Sequence, residues 1–142
     1  MVTVTVSVNR PRAAVFDYFT DFRNENEWNV VAHDVTLDGD SVGVGSRFRG
    51  VYDGMGPMEY VVRSYEPPVS AEVTGEARLF RWVSTFTFTE TTAGTDVVCT
   101  MDPAPKGPLR LLKPLMSGMI EKQMRRGLAS LTTTLEAKEP LS

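Results

Sequence analysis

An α+β domain, in which an antiparallel sheet of seven strands is curved around one long C-terminal helix, is the fold the sequence predicts. Three observations carry it. Val2 to Val8 alternate valine with threonine or serine; six further strand-like segments follow one another between turn signals, with no helix between them; and after Pro108 the apolar period changes from 2 to 3.6 residues.

Each element has a local reason. The alternation in Val2–Val8 marks a strand with one buried face, and Asn9, Arg10 and Pro11 stop it. Asn9 is expected to cap a helix over Pro11–Phe22, where Val15, Phe16, Phe19 and Phe22 form an apolar stripe. Arg23–Asn29 is polar apart from Trp28, which predicts a short helical turn planting one ring against the body. Strands are predicted at Val30–Leu37, Ser46–Asp53, Met58–Tyr65, Val69–Ala77, Leu79–Thr89 and Asp96–Met101, separated by Asp-Gly, Gly-Pro, Pro-Pro and Ala-Gly punctuation. The last helix is predicted to start or kink at Pro114, which has no amide hydrogen, and to run to Ala137. That is about 24 residues, or roughly 36 Å at the standard rise.

Composition narrows the function. A chain of 142 residues with 42% hydrophobic and 23% charged side chains is read as a single globular domain spanning residues 1–142. With 15 basic against 18 acidic residues, the formal charge is −3, so no global field draws nucleic acid or anionic lipid. One cysteine, Cys99, and one histidine, His33, cannot make a disulfide or a conventional transition-metal site, and no glycine pattern cradles phosphate. The expectation is therefore no metal and no organic cofactor. The absence of a secretory pattern or a long apolar run predicts a cytoplasmic protein without an integral membrane segment, as a monomer or homodimer.

Strand parity selects the face that meets the helix. In Leu79–Thr89 the inward set is Phe80, Trp82, Ser84, Phe86 and Phe88; the same test selects Phe48, Gly50 and Tyr52, then Met58, Tyr60 and Val62, then Val97, Cys99 and Met101. His33 shares parity with Val31, Val35 and Leu37 and is expected inward, as an acid or base near neutral pH. From the terminal helix, Met116, Met119, Gln123 and Met124 are assigned to the inner stripe. Arg47 and Arg49, and the basic cluster of Arg110, Lys113, Lys122, Arg125 and Arg126, are read as solvated faces. The carboxylates of Glu25 and Glu27 are read as lacking a buried setting.

The order of elements resembles the helix-grip fold of the SRPBCC superfamily, which includes birch-pollen-allergen-like, START and polyketide cyclase/dehydrase proteins. The resemblance rests on the opening strand leading to Asn9-Arg10-Pro11 and the helix AAVFDYFTD; on Trp28-Asn29 before a strand ending in Leu37; on the run from Gly43 to Phe48; and on the final LASLTTTLE. It implies a concavity between sheet and helix, in proteins that include cyclases, hydroxylase domains and lipid carriers. The ligand-binding residues expected here are Trp28, His33, Phe48, Tyr52, Tyr60, Trp82, Phe86, Met101, Met119 and Gln123. The first function expected is binding or transport of a hydrophobic small molecule such as a lipid, an isoprenoid or an aromatic polyketide. The alternatives are a polyketide cyclase or aromatase using His33, Tyr52, Tyr60 and Gln123 for proton transfer, and a protein-interaction domain. A core filled by its own side chains is the competing structural account.

Overall fold

A computed structural model describes residues 1–138. Its elements run β1 (Val2–Val8), α1 (Arg12–Thr20), a 3-10 turn (Phe22–Asn24), α2 (Glu25–Trp28), β2 (Ala32–Asp38), β3 (Arg47–Tyr52), β4 (Gly56–Glu66), β5 (Ser70–Ala77), β6 (Phe80–Glu90), β7 (Thr95–Pro105), a second 3-10 turn (Gly107–Leu112) and α3 (Lys113–Ala137). The seven strands form one antiparallel sheet in the order β1-β7-β6-β5-β4-β3-β2. The expected α+β class and strand count are thus observed.

β7 runs four residues past its predicted end and includes Pro103 and Pro105. The reason is positional. β1 pairs with β7 only as far as Val2 opposite Met101, so beyond Met101 one edge of β7 needs no amide donor, and proline is tolerated there. α3 starts at Lys113 with Pro114 in its first turn, where a missing amide hydrogen costs nothing.

Asn9 does not cap α1. The cap position is Pro11, in extended conformation, without a side-chain cap bond. Instead the Asn9–Arg10 corner holds the far end of α3: the Asn9 amide donates to Glu136 Oε2 at 2.8 Å, and Arg10 Nη2 donates to the Lys138 carbonyl at 2.8 Å and to the Glu136 carbonyl. The start of the sheet and the end of the helix are thereby tied to each other.

α3 packs on β1 and β7 and against α2, while α1 lies on β6 and α2 on β2. The helix therefore covers one side of the inner sheet face, and the α1–α2 segment covers the other. Between them lies an aromatic core. Phe16, Phe19, Phe22, Phe48, Phe86 and Phe88 are buried and meet mostly edge-on or tilted, with centroids such as 5.0 Å for Phe16–Phe88 and 5.1 Å for Phe22–Phe48.

Two glycines set the spacing of this interior. Gly75 stands opposite Tyr60 on one side and Trp82 on the other, and a Cβ there would come within 2.2 Å of the Trp82 ring. The indole therefore lies down over a bare backbone. On α3, a Cβ at Gly127 would meet the Trp28 ring at 3.3 Å, so the helix approaches α2 as closely as it does because this position has no side chain.

Candidate functional site

A cavity of about 150 Å³ lies between the inner sheet face, α2 and α3. Its walls are Phe19, Phe22, Val73, Phe86, Cys99, Met58 and Met101, with Trp28 and Trp82 at the sides and Ile120, Met124 and Leu128 from the helix. Asn29, Val31, Met55, Gln123 and Met124, which also line it, are only partly buried and mark the mouth. The lining is overwhelmingly hydrocarbon and sulfur.

One polar cluster interrupts it. Glu25 is 8% exposed and faces the cavity from the first turn of α2. The Tyr52 hydroxyl donates to Glu25 Oε1 at 3.1 Å and the Tyr60 hydroxyl is 3.3 Å from the same oxygen. The two hydroxyls are 2.7 Å apart, and Asn29 Nδ2 donates to Glu25 Oε2 at 2.9 Å. β3 and β4 supply the tyrosines from consecutive strands of one hairpin, so their rings project from the same face of the sheet.

Burial dominates the electrostatics of this cluster. It pushes the Glu25 carboxyl up from 4.5 to about 7, against the hydrogen bonds from Asn29, Tyr52 and Tyr60, which pull the other way. Burial and then the Glu25 charge raise both tyrosine hydroxyls far above the ordinary phenol range, so they stay protonated and act as donors. Cys99 is likewise pushed up by burial, which keeps it a thiol and not a nucleophile. Glu25 is therefore the group of this site that exchanges a proton near neutral pH.

Of the residues expected from the sequence, Trp28, Tyr52, Tyr60, Trp82, Phe86, Met101 and Gln123 are brought together around the cavity. Three are not. Phe48 is fully buried behind the wall, stacked on Tyr60 with centroids 5.6 Å apart, and packs as core. His33 points outward: its side chain is 51% exposed and its Nε2 lies 3.0 Å from Asp53. The parity argument fails there because β2 carries a bulge between His33 and Thr36, with Asp34 at φ 54°, so that Ala32 and Val35 both face inward. The Asn26 side chain holds that bulge, accepting from the Val35 amide and donating to the Val35 carbonyl, each at 2.9 Å.

Met119 is the third correction, at 58% exposed. Continued by three and four residues, its row on α3 reads Leu115, Met119, Lys122, Arg126, which ends in solvated charge. The buried row is Ile120, Gly127, Leu128, Leu131 and Leu135. The residue that sequence reasoning missed is Glu25. A signal was present: Phe22, Glu25 and Trp28 recur every three residues, so a carboxylate set between two buried aromatics shares their face.

Residues 1–136 match the family described as polyketide cyclase / dehydrase and lipid transport. The chain belongs to that family. Among solved structures it is similar to protein MLL2253 from Mesorhizobium loti (TM-score 0.76, 21% identity, covering 97% of this chain and 98% of that one). It is similar also to TTHA0849 from Thermus thermophilus (TM-score 0.79, 19% identity, covering 97% and 99%). A third likeness is to DynU16, a protein in the dynemicin biosynthetic locus (TM-score 0.71, 20% identity, covering 98% of this chain and 48% of that one). At these identities the likenesses establish the fold. Curated proteins yield no match. Among the described residues no helix is long and apolar enough to cross a membrane, and no group of three or more His, Cys, Asp or Glu side chains is placed to hold a metal ion.

Proposed function

We propose that this chain binds and carries a compact apolar small molecule in the cavity between the sheet and α3. The observation that supports it most is the cavity itself: about 150 Å³ of hydrocarbon-lined space in a domain whose remaining interior is closely packed aromatic core. An apolar void of about that size stays dry and takes benzene. Among the ligand classes expected from the sequence, one aromatic ring or one isoprenoid-sized unit fits without movement. A long lipid chain requires α3 to move off the sheet.

The test fills the space. Ser84 is buried on β6 and lines the cavity, so Ser84→Phe should occupy it and abolish one-to-one binding of an apolar fluorescent probe. Because the new ring enters an existing void, the stability cost should stay below the ~1–3 kcal/mol of overpacking a full core. Met119→Trp, on the exposed face, should leave binding unchanged. A wild type that binds no probe, or a Ser84→Phe variant that binds normally, contradicts the proposal.

Glu25 supports a second reading, that of an acid–base enzyme acting on a carbonyl substrate in the same cavity. A carboxyl titrating at about 7 beside two tyrosine hydroxyls can take a proton from carbon next to a carbonyl and return it elsewhere. Deuterium exchange at such a carbon, present in the wild type and lost in Glu25→Gln while probe binding persists, separates the enzyme from the carrier.

A further inference from the structure

The hydrogen count in the polar cluster constrains what the cavity accepts. With Glu25 ionised, the hydroxyls form a chain in which Tyr60 donates to Tyr52 and Tyr52 donates to Oε1, across distances of 2.7 and 3.1 Å. Asn29 satisfies the other carboxylate oxygen at 2.9 Å. Both hydroxyl hydrogens then point at the carboxylate or toward it, and an entering oxygen finds no free hydroxyl donor in this cluster.

Protonation reverses the chain. The Glu25 carboxyl now donates to Tyr52, and Tyr52 donates to Tyr60. The Tyr60 hydrogen is left with only the longest side of the triangle, 3.3 Å back to Oε1, in a ring of three that bends each bond away from linearity. A ligand oxygen inside the cavity offers it a straighter acceptor. The walls carry a surplus of donors as well: the indole N–H groups of Trp28 and Trp82 are buried with no acceptor among the described residues. Among the described residues no cationic side chain lines the cavity; the titratable groups that face Glu25 are Tyr52 from β3 and Tyr60 from β4, with the Cys99 thiol of β7 across the same space. A charged ligand would therefore be buried without a partner, which favours a neutral one.

We propose that the cavity selects a compact, neutral carbonyl compound of about single-ring size, whose oxygen accepts a hydrogen bond from Tyr60 while the Glu25 carboxyl holds a proton. This inference rests on the ligand-binding reading above and makes Glu25 and Tyr60 its specificity-determining pair. Binding is then coupled to proton uptake around neutral pH, where the carboxyl shifted by burial to about 7 is divided between its two forms.

The experiment compares two probes of nearly equal shape, cyclohexanone and methylenecyclohexane, by calorimetry on the wild type. Between about pH 6 and about pH 8.5, cyclohexanone should lose about tenfold in affinity as its hydrogen bond is withdrawn, while the hydrocarbon binds equally at both. In Tyr60→Phe the ketone should lose its advantage at the lower pH, and in Glu25→Gln, which keeps the cluster neutral, its affinity should no longer change with pH. Hydrocarbon binding in both variants reports that the cavity has formed. If ketone and hydrocarbon keep a constant ratio across this range, or if Tyr60→Phe retains the pH dependence, the inference is overturned and the binding reading stands. If neither probe binds the wild type, both fall together.

Discussion

Glu25 holds an ionisable group in a hydrocarbon setting, and the cost of doing so depends on pH. The folded protein keeps the carboxyl proton up to about 7, whereas the unfolded chain releases it near 4.5. Between those values the folded state binds more protons, so this group's contribution to stability falls as pH rises, and it is constant above the upper value. The size is about 3 kcal/mol for a shift of this extent. Glu25→Gln removes the titration, so the stability of the wild type relative to this variant should decline by that amount from about pH 4.5 to about pH 7 in denaturant melts. Parallel curves would mean that Glu25 ionises freely and is not buried as described. The role of this residue was legible only in part. The triplet Phe22, Glu25, Trp28 displays the spacing, but strongly polar surroundings, RNENEWN, mask a single buried carboxylate among solvated neighbours.

At the scale of elements, alternation predicts a strand's faces only while the ladder stays regular. In β3, in β6 and in β4 as far as Val62 it does, and the inward residues Tyr52, Tyr60, Trp82 and Phe86 could be read directly from parity. In β2 the bulge at Asp34 breaks it, and the residue that supports the bulge, Asn26, lies on another element and leaves no local trace. α3 poses a different problem, because its N-terminal half has more apolar positions than one face can bury. Leu115 and Met119 lose to Met116 and Ile120 because only the latter row continues into leucines at the far end. Gly75 offers the clearest test at this scale. Gly75→Ala puts a methyl group where the Trp82 ring lies, 2.2 Å from its nearest atoms, so the indole must rise into the cavity. The expected result is a loss of roughly 1 to 3 kcal/mol of stability together with weaker probe binding. A Gly75→Ala variant that binds like the wild type would show that the Trp82 ring has another place to go.

For the molecule as a whole, the architecture was the most legible feature, since it follows from the order of patterns along the chain: period 2, a short helical stretch, a long period-2 run, then period 3.6. What could not be read was whether the sheet and helix close fully on each other. That depends on how far Gly127 lets α3 approach Trp28 and on how flat Trp82 lies over Gly75, distances set by packing between elements remote in sequence. The cavity that remains is the central claim, and the methionines report on it. Met55, Met58, Met101 and Met124 line it, whereas Met1 and Met119 are exposed elsewhere. In a spectrum of protein labelled at its methionine methyl groups, titration with methylenecyclohexane should shift the signals of those four residues with one-to-one saturation and leave Met1 and Met119 in place. Shifts that fail to saturate, or that fall on Met1 and Met119 while the four stay still, would contradict an internal binding site.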